Sequence, residues 1–154
     1  MRARLVCEKM DSRVALKAGT TLGFNDGWEY TITDELARGG SSIVYNAYYI
    51  DNLGARKTVR IKECYPFRCN LRRSSDGNLL IPEAERKQFT QTKQKMRRAY
   101  QLGNEFFAAD GLTNLTANTY FMRQTTHCMW FLCMLRGRNC PMIVIPLSRT
   151  ALLQ

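Results

Sequence analysis

A glycine pair set between two apolar, β-prone runs, with a lysine one strand later, constrains this chain more than any other feature. The stretch is Leu36-Ala37-Arg38-Gly39-Gly40-Ser41-Ser42-Ile43-Val44-Tyr45-Asn46-Ala47, followed a strand's length later by Val59-Arg60-Ile61-Lys62-Glu63. Glycine leaves room for a ligand to approach the backbone, because no Cβ stands in the way. Successive backbone N–H groups in such a turn offer donors to an anion, and a lysine on the neighbouring strand adds a cation for the same group. An ordinary hairpin beside a solvated lysine accounts for either feature taken singly. The two together point to a phosphate site.

The rest of the chain reads as a small mixed domain. Trp28 to Leu36, Ile43 to Ile50 and Thr58 to Cys64 have the alternation and the β-branched and aromatic content of strands, and Tyr65-Pro66 ends the third because proline cannot continue a ladder. Asn25-Asp26-Gly27 and Asp51-Asn52-Leu53-Gly54 read as turns. The polar stretch from Phe67 to Pro82 is expected to be a loop holding a short hairpin at Ser74-Ser75-Asp76-Gly77. A helix is expected from Glu83 to Ala109, with Phe89, Met96, Tyr100 and Phe107 on one face and a break near Gly103.

Composition narrows the function classes. The 154 residues carry a net charge of +10, but the basic residues are scattered and no nucleic-acid motif accompanies them. A specific nucleic-acid partner is therefore not expected, although a basic nucleic-acid-binding protein stays as a rival reading. Six cysteines without a CxxC pair, and His127 as the one histidine, argue against a zinc site. Met1 to Met10 lacks the apolar core of a secretory signal, and Cys128 to Leu135 is too short for a membrane helix. The expected location is cytoplasmic, with reduced thiols and no membrane span.

Taken in order, these motifs resemble the N-terminal lobe of the eukaryotic-like serine/threonine protein kinases of bacteria. Leu16-Lys17-Ala18-Gly19-Thr20-Thr21-Leu22 is similar to the lead-in these kinases often carry, and Ile61-Lys62-Glu63-Cys64-Tyr65-Pro66 to the lysine motif of a bacterial subgroup. The resemblance runs from about Leu16 to Tyr120. It implies an α+β fold, a twisted antiparallel sheet with one main helix and the C-lobe absent. It also implies ATP as ligand, bound by Gly39, Gly40, Ser41 and Ser42 on the phosphates, with Val44 covering the adenine. Lys62 would pair with the α- and β-phosphates, oriented by Glu105 or alternatively by Glu83 or Glu85. The family reaction is phosphoryl transfer to Ser/Thr hydroxyls of a protein substrate. Two departures stand out. Ala37 and Ser42 occupy the first and third glycine positions, and Arg60 replaces a small apolar residue that lines the adenine pocket.

The catalytic and magnesium-binding aspartates of the family have no counterpart, because no Asp or Glu follows Asp110. Magnesium belongs to the full family domain, and this chain alone is expected to be inactive or to act as a pseudokinase-like interaction module. Residues 1–26 read as an N-terminal arm, 27–122 as an incomplete N-lobe, and 123–154 as an out-of-frame tail. The last reading follows from codon logic. If the third base of each codon joins the first two of the next, His127-Cys128 gives Leu, Met129-Trp130-Phe131 forces Val-Val, and Met142-Ile143 forces Asp. An apolar strand and an acid thereby appear where the family has them.

Overall fold

A computed structural model describes residues 10–24, 26–110, 118–123 and 128–132. In chain order the elements are β1 (Thr21–Gly23), β2 (Glu29–Arg38), β3 (Ser42–Ile50), β4 (Arg56–Cys64), β5 (Arg72–Arg73), β6 (Leu79–Leu80), α1 (Glu83–Asp110), β7 (Asn118–Arg123) and β8 (Cys128–Leu132). The main sheet is antiparallel, in the order β1-β2-β3-β4-β8-β7, and β5 pairs with β6 as a separate hairpin. The expected α+β fold is present.

Alternation decides which side of the sheet is core. Tyr30 and Ile32 of β2, Ile43, Tyr45 and Ala47 of β3, and Ile61 of β4 are buried, and they join Leu16, Leu22, Leu71 and Leu79 in one cluster. Side chains of the other parity, Val44, Asn46 and Tyr48 on β3 and Arg60 and Lys62 on β4, stay half-buried. In β2 the pairing slips between Ile32 and Asp34 and again between Glu35 and Ala37, so its alternation is only loose in the sequence. The β3–β4 turn closes because Gly54 adopts a φ of +75° and the Asp51 carboxylate accepts from the Leu53 and Ala55 amides at 3.0 and 2.8 Å.

Helix α1 starts after Pro82, with Glu83 and Glu85 complementing its N-terminal dipole. Phe89 and Met96 are buried, and Tyr100 packs against the same core. The expected break at Gly103 is not there: α1 runs unbroken to Asp110. Glycine lacks only the Cβ, not the N–H of the helical ladder, and its cost of about 1 kcal/mol is small beside the packing of a long helix.

The segment from Leu16 to Gly23 packs on the sheet. Strand β1 pairs with β2, the Gly19 amide donates to the Ile32 carbonyl at 2.8 Å, and the Leu16 amide donates to the Tyr45 hydroxyl at 3.1 Å. Strand β8 slots between β4 and β7 with Lys62 opposite Trp130 and Arg60 opposite Leu132. Strand β7 is not among the strands expected from the sequence, and β8 falls where an apolar strand is expected only in the shifted frame.

A charged cluster sits inside the core. Glu63 is fully buried, and its two carboxylate oxygens accept from the Arg73 guanidinium at 3.0 and 2.7 Å and from the Tyr45 hydroxyl at 2.8 Å. Arg73 donates further to the Val14 and Gly77 carbonyls, both at 2.7 Å. Burial, and next the Glu63 charge, push the Tyr45 hydroxyl far above its ordinary range, so it remains a donor. The pair ties β4 to the β5–β6 hairpin.

Candidate nucleotide-binding site

The turn between β2 and β3 is built so that its carbonyls point into the protein. Gly39 and Ser42 close it, N–H to carbonyl, at 2.8 and 3.4 Å. The Gly40 carbonyl accepts from the Phe67 amide at 2.9 Å and the Ser41 carbonyl from the Tyr65 amide at 3.0 Å, so the turn leans on the segment that follows β4. Among the described residues, the amides of Gly40 and Ser41 donate to no protein acceptor. Two adjacent donors in an exposed turn can receive an anion.

Glycine is not demanded here by backbone conformation. Neither Gly39 nor Gly40 has a positive φ, and a Cβ built on Gly40 would meet nothing within 4 Å. What glycine leaves at Gly40 is open space on the outer side of the turn.

Next to the turn, cross-strand register places the other expected residues in rows on one face. Ala37, Val44 and Lys62 are successive partners across β2, β3 and β4, and Asp34, Asn46 and Arg60 form the adjoining row. The Asn46 amide donates to Asp34 at 2.8 Å, so this row is polar where the resemblance implies an adenine lining. Lys62 and Arg60 thus share the face opposite Ile61 and Glu63. Replacing Arg60 with alanine is expected to tighten ATP binding about threefold or more, roughly 0.7 kcal/mol, by reopening that face. Calorimetry showing equal or weaker affinity would place the side chain outside the cleft.

The candidate glutamates all lie on α1. Glu83 pairs with Arg86 at 2.8 Å in the first turn, and Glu85 lies beside Cys69, where burial and then the neighbouring carboxylate raise the thiol's pKa. Glu105 is exposed, and at 3.6 residues per turn it falls on the side of α1 away from Phe89 and Met96. Among the described residues no group of acids, cysteines or histidines forms a metal site.

Arg13, which no local pattern marks out, is buried beneath the turn. Its guanidinium donates to the carbonyls of Gly39 at 2.9 Å, Ser42 at 3.4 Å and Tyr65 at 2.5 Å, and lies 5.9 and 5.7 Å from the Tyr65 and Phe67 ring centres. Asp11 holds it from the other side at 2.6 Å and also faces Arg38, which pairs with Glu35 and donates to the Arg13 carbonyl at 2.8 Å. The hydrogen bond from Arg13 holds the Asp11 carboxyl well below the usual carboxylate range. A lowered folded pKa stabilises the protein above the unfolded value of about 3.9 and loses that share as pH falls further. Wild type is therefore expected to lose more thermal stability than Asp11→Asn between about pH 5 and about pH 3. Equal losses in differential scanning fluorimetry would place Asp11 outside this network.

Five of the main-sheet strands, β2-β3-β4-β8-β7, with one long helix make a kinase N-lobe-like α+β fold. The apo form of PpkA-294, a bacterial Ser/Thr kinase, is similar with a TM-score of 0.61 and 22% identity over 78% of this chain. At that identity the likeness is one of fold, and the chain spans 38% of that structure's own length. No family model and no curated protein matches the chain.

Proposed function

We propose that this lobe binds the phosphates of ATP in the manner of a serine/threonine kinase N-lobe. The observation that carries the reading is the turn itself: its carbonyls are engaged on the inside, and the Gly40 and Ser41 amides are left as outward donors just before Ser42, which pairs with Cys64, two residues along β4 from Lys62. Gly39, Gly40, Ser41 and Ser42 would supply the phosphate cradle, Val44 the contact to the base, and Lys62 the cation on the α- and β-phosphates. Lys62 would be oriented by an acid of α1: by Glu105 only if the helix turns so as to bring its now outward face to the sheet, or else by Glu83 or Glu85. The kinase-like fold supports this reading. Phosphoryl transfer is not expected of the chain alone, because no acid after Asp110 can hold magnesium or accept the substrate proton.

Calorimetry with ATP, ADP and AMP tests the proposal. Affinity should fall as phosphates are removed, and labelled phosphate should not reach a protein substrate. Equal affinity for all three nucleotides would contradict a phosphate-directed site.

We further propose that residues 123–154 are an out-of-frame tail. Cys128–Leu132 is apolar in the present frame, and the shifted frame, with Leu, Tyr or His, Val and Val, is largely apolar over the same stretch. A strand beside β4 suits both. Resequencing the locus distinguishes them: one frame-restoring change near the Tyr120 codon should open a continuous kinase frame, and early stop codons in the shifted frame would defeat the idea.

A further inference from the structure

We propose that Arg13 is a positioning residue for phosphate binding, its guanidinium clamping the glycine turn from beneath so that the Gly40 and Ser41 amides face outward. The inference rests on the reading of that turn as a phosphate site. A turn whose glycines are free of left-handed φ and whose outer side is open is closed on itself only by the Gly39–Ser42 pair of hydrogen bonds. The rest of what fixes it comes from elsewhere in the chain. The Gly40 and Ser41 carbonyls are taken by backbone amides after β4, while those of Gly39 and Ser42, at the two ends of the turn, converge with the Tyr65 carbonyl on one guanidinium nitrogen of Arg13.

Arginine suits this place and lysine does not. One edge of the planar guanidinium meets carbonyls while Nε and the other terminal nitrogen donate to Asp11 at 2.9 and 2.6 Å, a fork that a single ammonium cannot reproduce. Flanking rings of Tyr65 and Phe67 limit sideways movement of the group. Arg38, at the last position of β2, donates to the Arg13 carbonyl and faces Asp11, so the strand entering the turn is tied to the same segment. Asp11 to Leu16 thus forms a strap that joins the turn, β2 and the end of β4.

Ordering the donors before the ligand arrives reduces the entropy lost on binding. Removing the clamp should therefore weaken phosphate binding without any lost contact to the ligand, since the Arg13 side chain is buried beneath the turn.

The test uses the full chain, the variants Arg13→Lys and Asp11→Asn, and inorganic tripolyphosphate as probe. Without ligand, amide hydrogen exchange at Tyr65 and Phe67, the donors to the turn, is expected to accelerate about tenfold or more in Arg13→Lys, and in the same direction but less in Asp11→Asn. Exchange at Tyr45 and Ile61 should stay as in wild type. Tripolyphosphate affinity should fall in the same order. Unchanged exchange at Tyr65 and Phe67 in both variants would overturn the clamp. Weaker binding with unchanged exchange would mean that Arg13 meets the ligand directly, which also overturns a positioning role. Accelerated exchange in a protein whose wild type ignores tripolyphosphate would sink the phosphate reading while leaving the clamp standing as a structural device only.

Discussion

Arg73→Ala is expected to cost about 3–5 kcal/mol of stability, because it strands the Glu63 carboxylate in the core with its guanidinium partner gone. Glu63 is fully buried, and both of its oxygens lean on Arg73. Small domains hold only about 5–15 kcal/mol in total, so the variant should unfold at a midpoint lower by about 6 °C or more. The penalty arises from a buried carboxylate that has lost its two-pronged guanidinium contact rather than from the value of the pair. Glu63→Gln combined with Arg73→Met should accordingly recover at least half of the loss, since no lone charge stays buried. A loss below about 1 kcal/mol in Arg73→Ala, the range of an exposed ion pair, would contradict the burial of the cluster.

Lys62→Met should reduce ATP affinity by tenfold to more than a hundredfold, since a hydrogen bond between charged groups is worth about 1.5–3 kcal/mol. Methionine keeps the length of the stem and removes only the cation. Lys62 shares a face with Val44 and lies opposite the side that holds Ile61 and Glu63, so folding should be little affected. The loss should be largest for ATP and smallest for AMP. A uniform loss across the three nucleotides, measured by calorimetry, would mean that the substitution disturbs the fold and not a phosphate contact.

What could be read in the sequence was what local physics controls. Alternation in Ile43–Ile50 and Thr58–Cys64, the turn residues at Asp51–Gly54, Pro66 after β4 and the spacing of Phe89, Met96 and Tyr100 each act within a few residues, and the corresponding elements are present. That Lys62 and Arg60 share a face followed from the same parity. What was missed depends on distance along the chain. Arg13 reaches Gly39 and Tyr65 across 26 and 52 residues, and nothing in its own neighbourhood marks it as buried. Glu63 carries a visible signal, since an acid with the parity of Ile61 must either face the core or break the pattern. Its partner Arg73 sits in a basic dipeptide that reads as solvated surface. Strand β1, three residues long, is too short for periodicity to reveal, and the slot of β8 between β4 and β7 is a matter of topology. The break expected at Gly103 weighed a single residue's propensity above the packing of the whole helix.

The outward amides of the glycine turn and the neighbouring lysine together make up the proposed phosphate site. Its most direct test is a titration of isotope-labelled protein with ATP, followed through backbone amide shifts. The amides of Gly40 and Ser41 should move most, with Val44 and Lys62 next, while the β3–β4 turn at Asn52 to Gly54 stays still. Shifts confined to the basic residues of α1, or none at millimolar ATP, would contradict it.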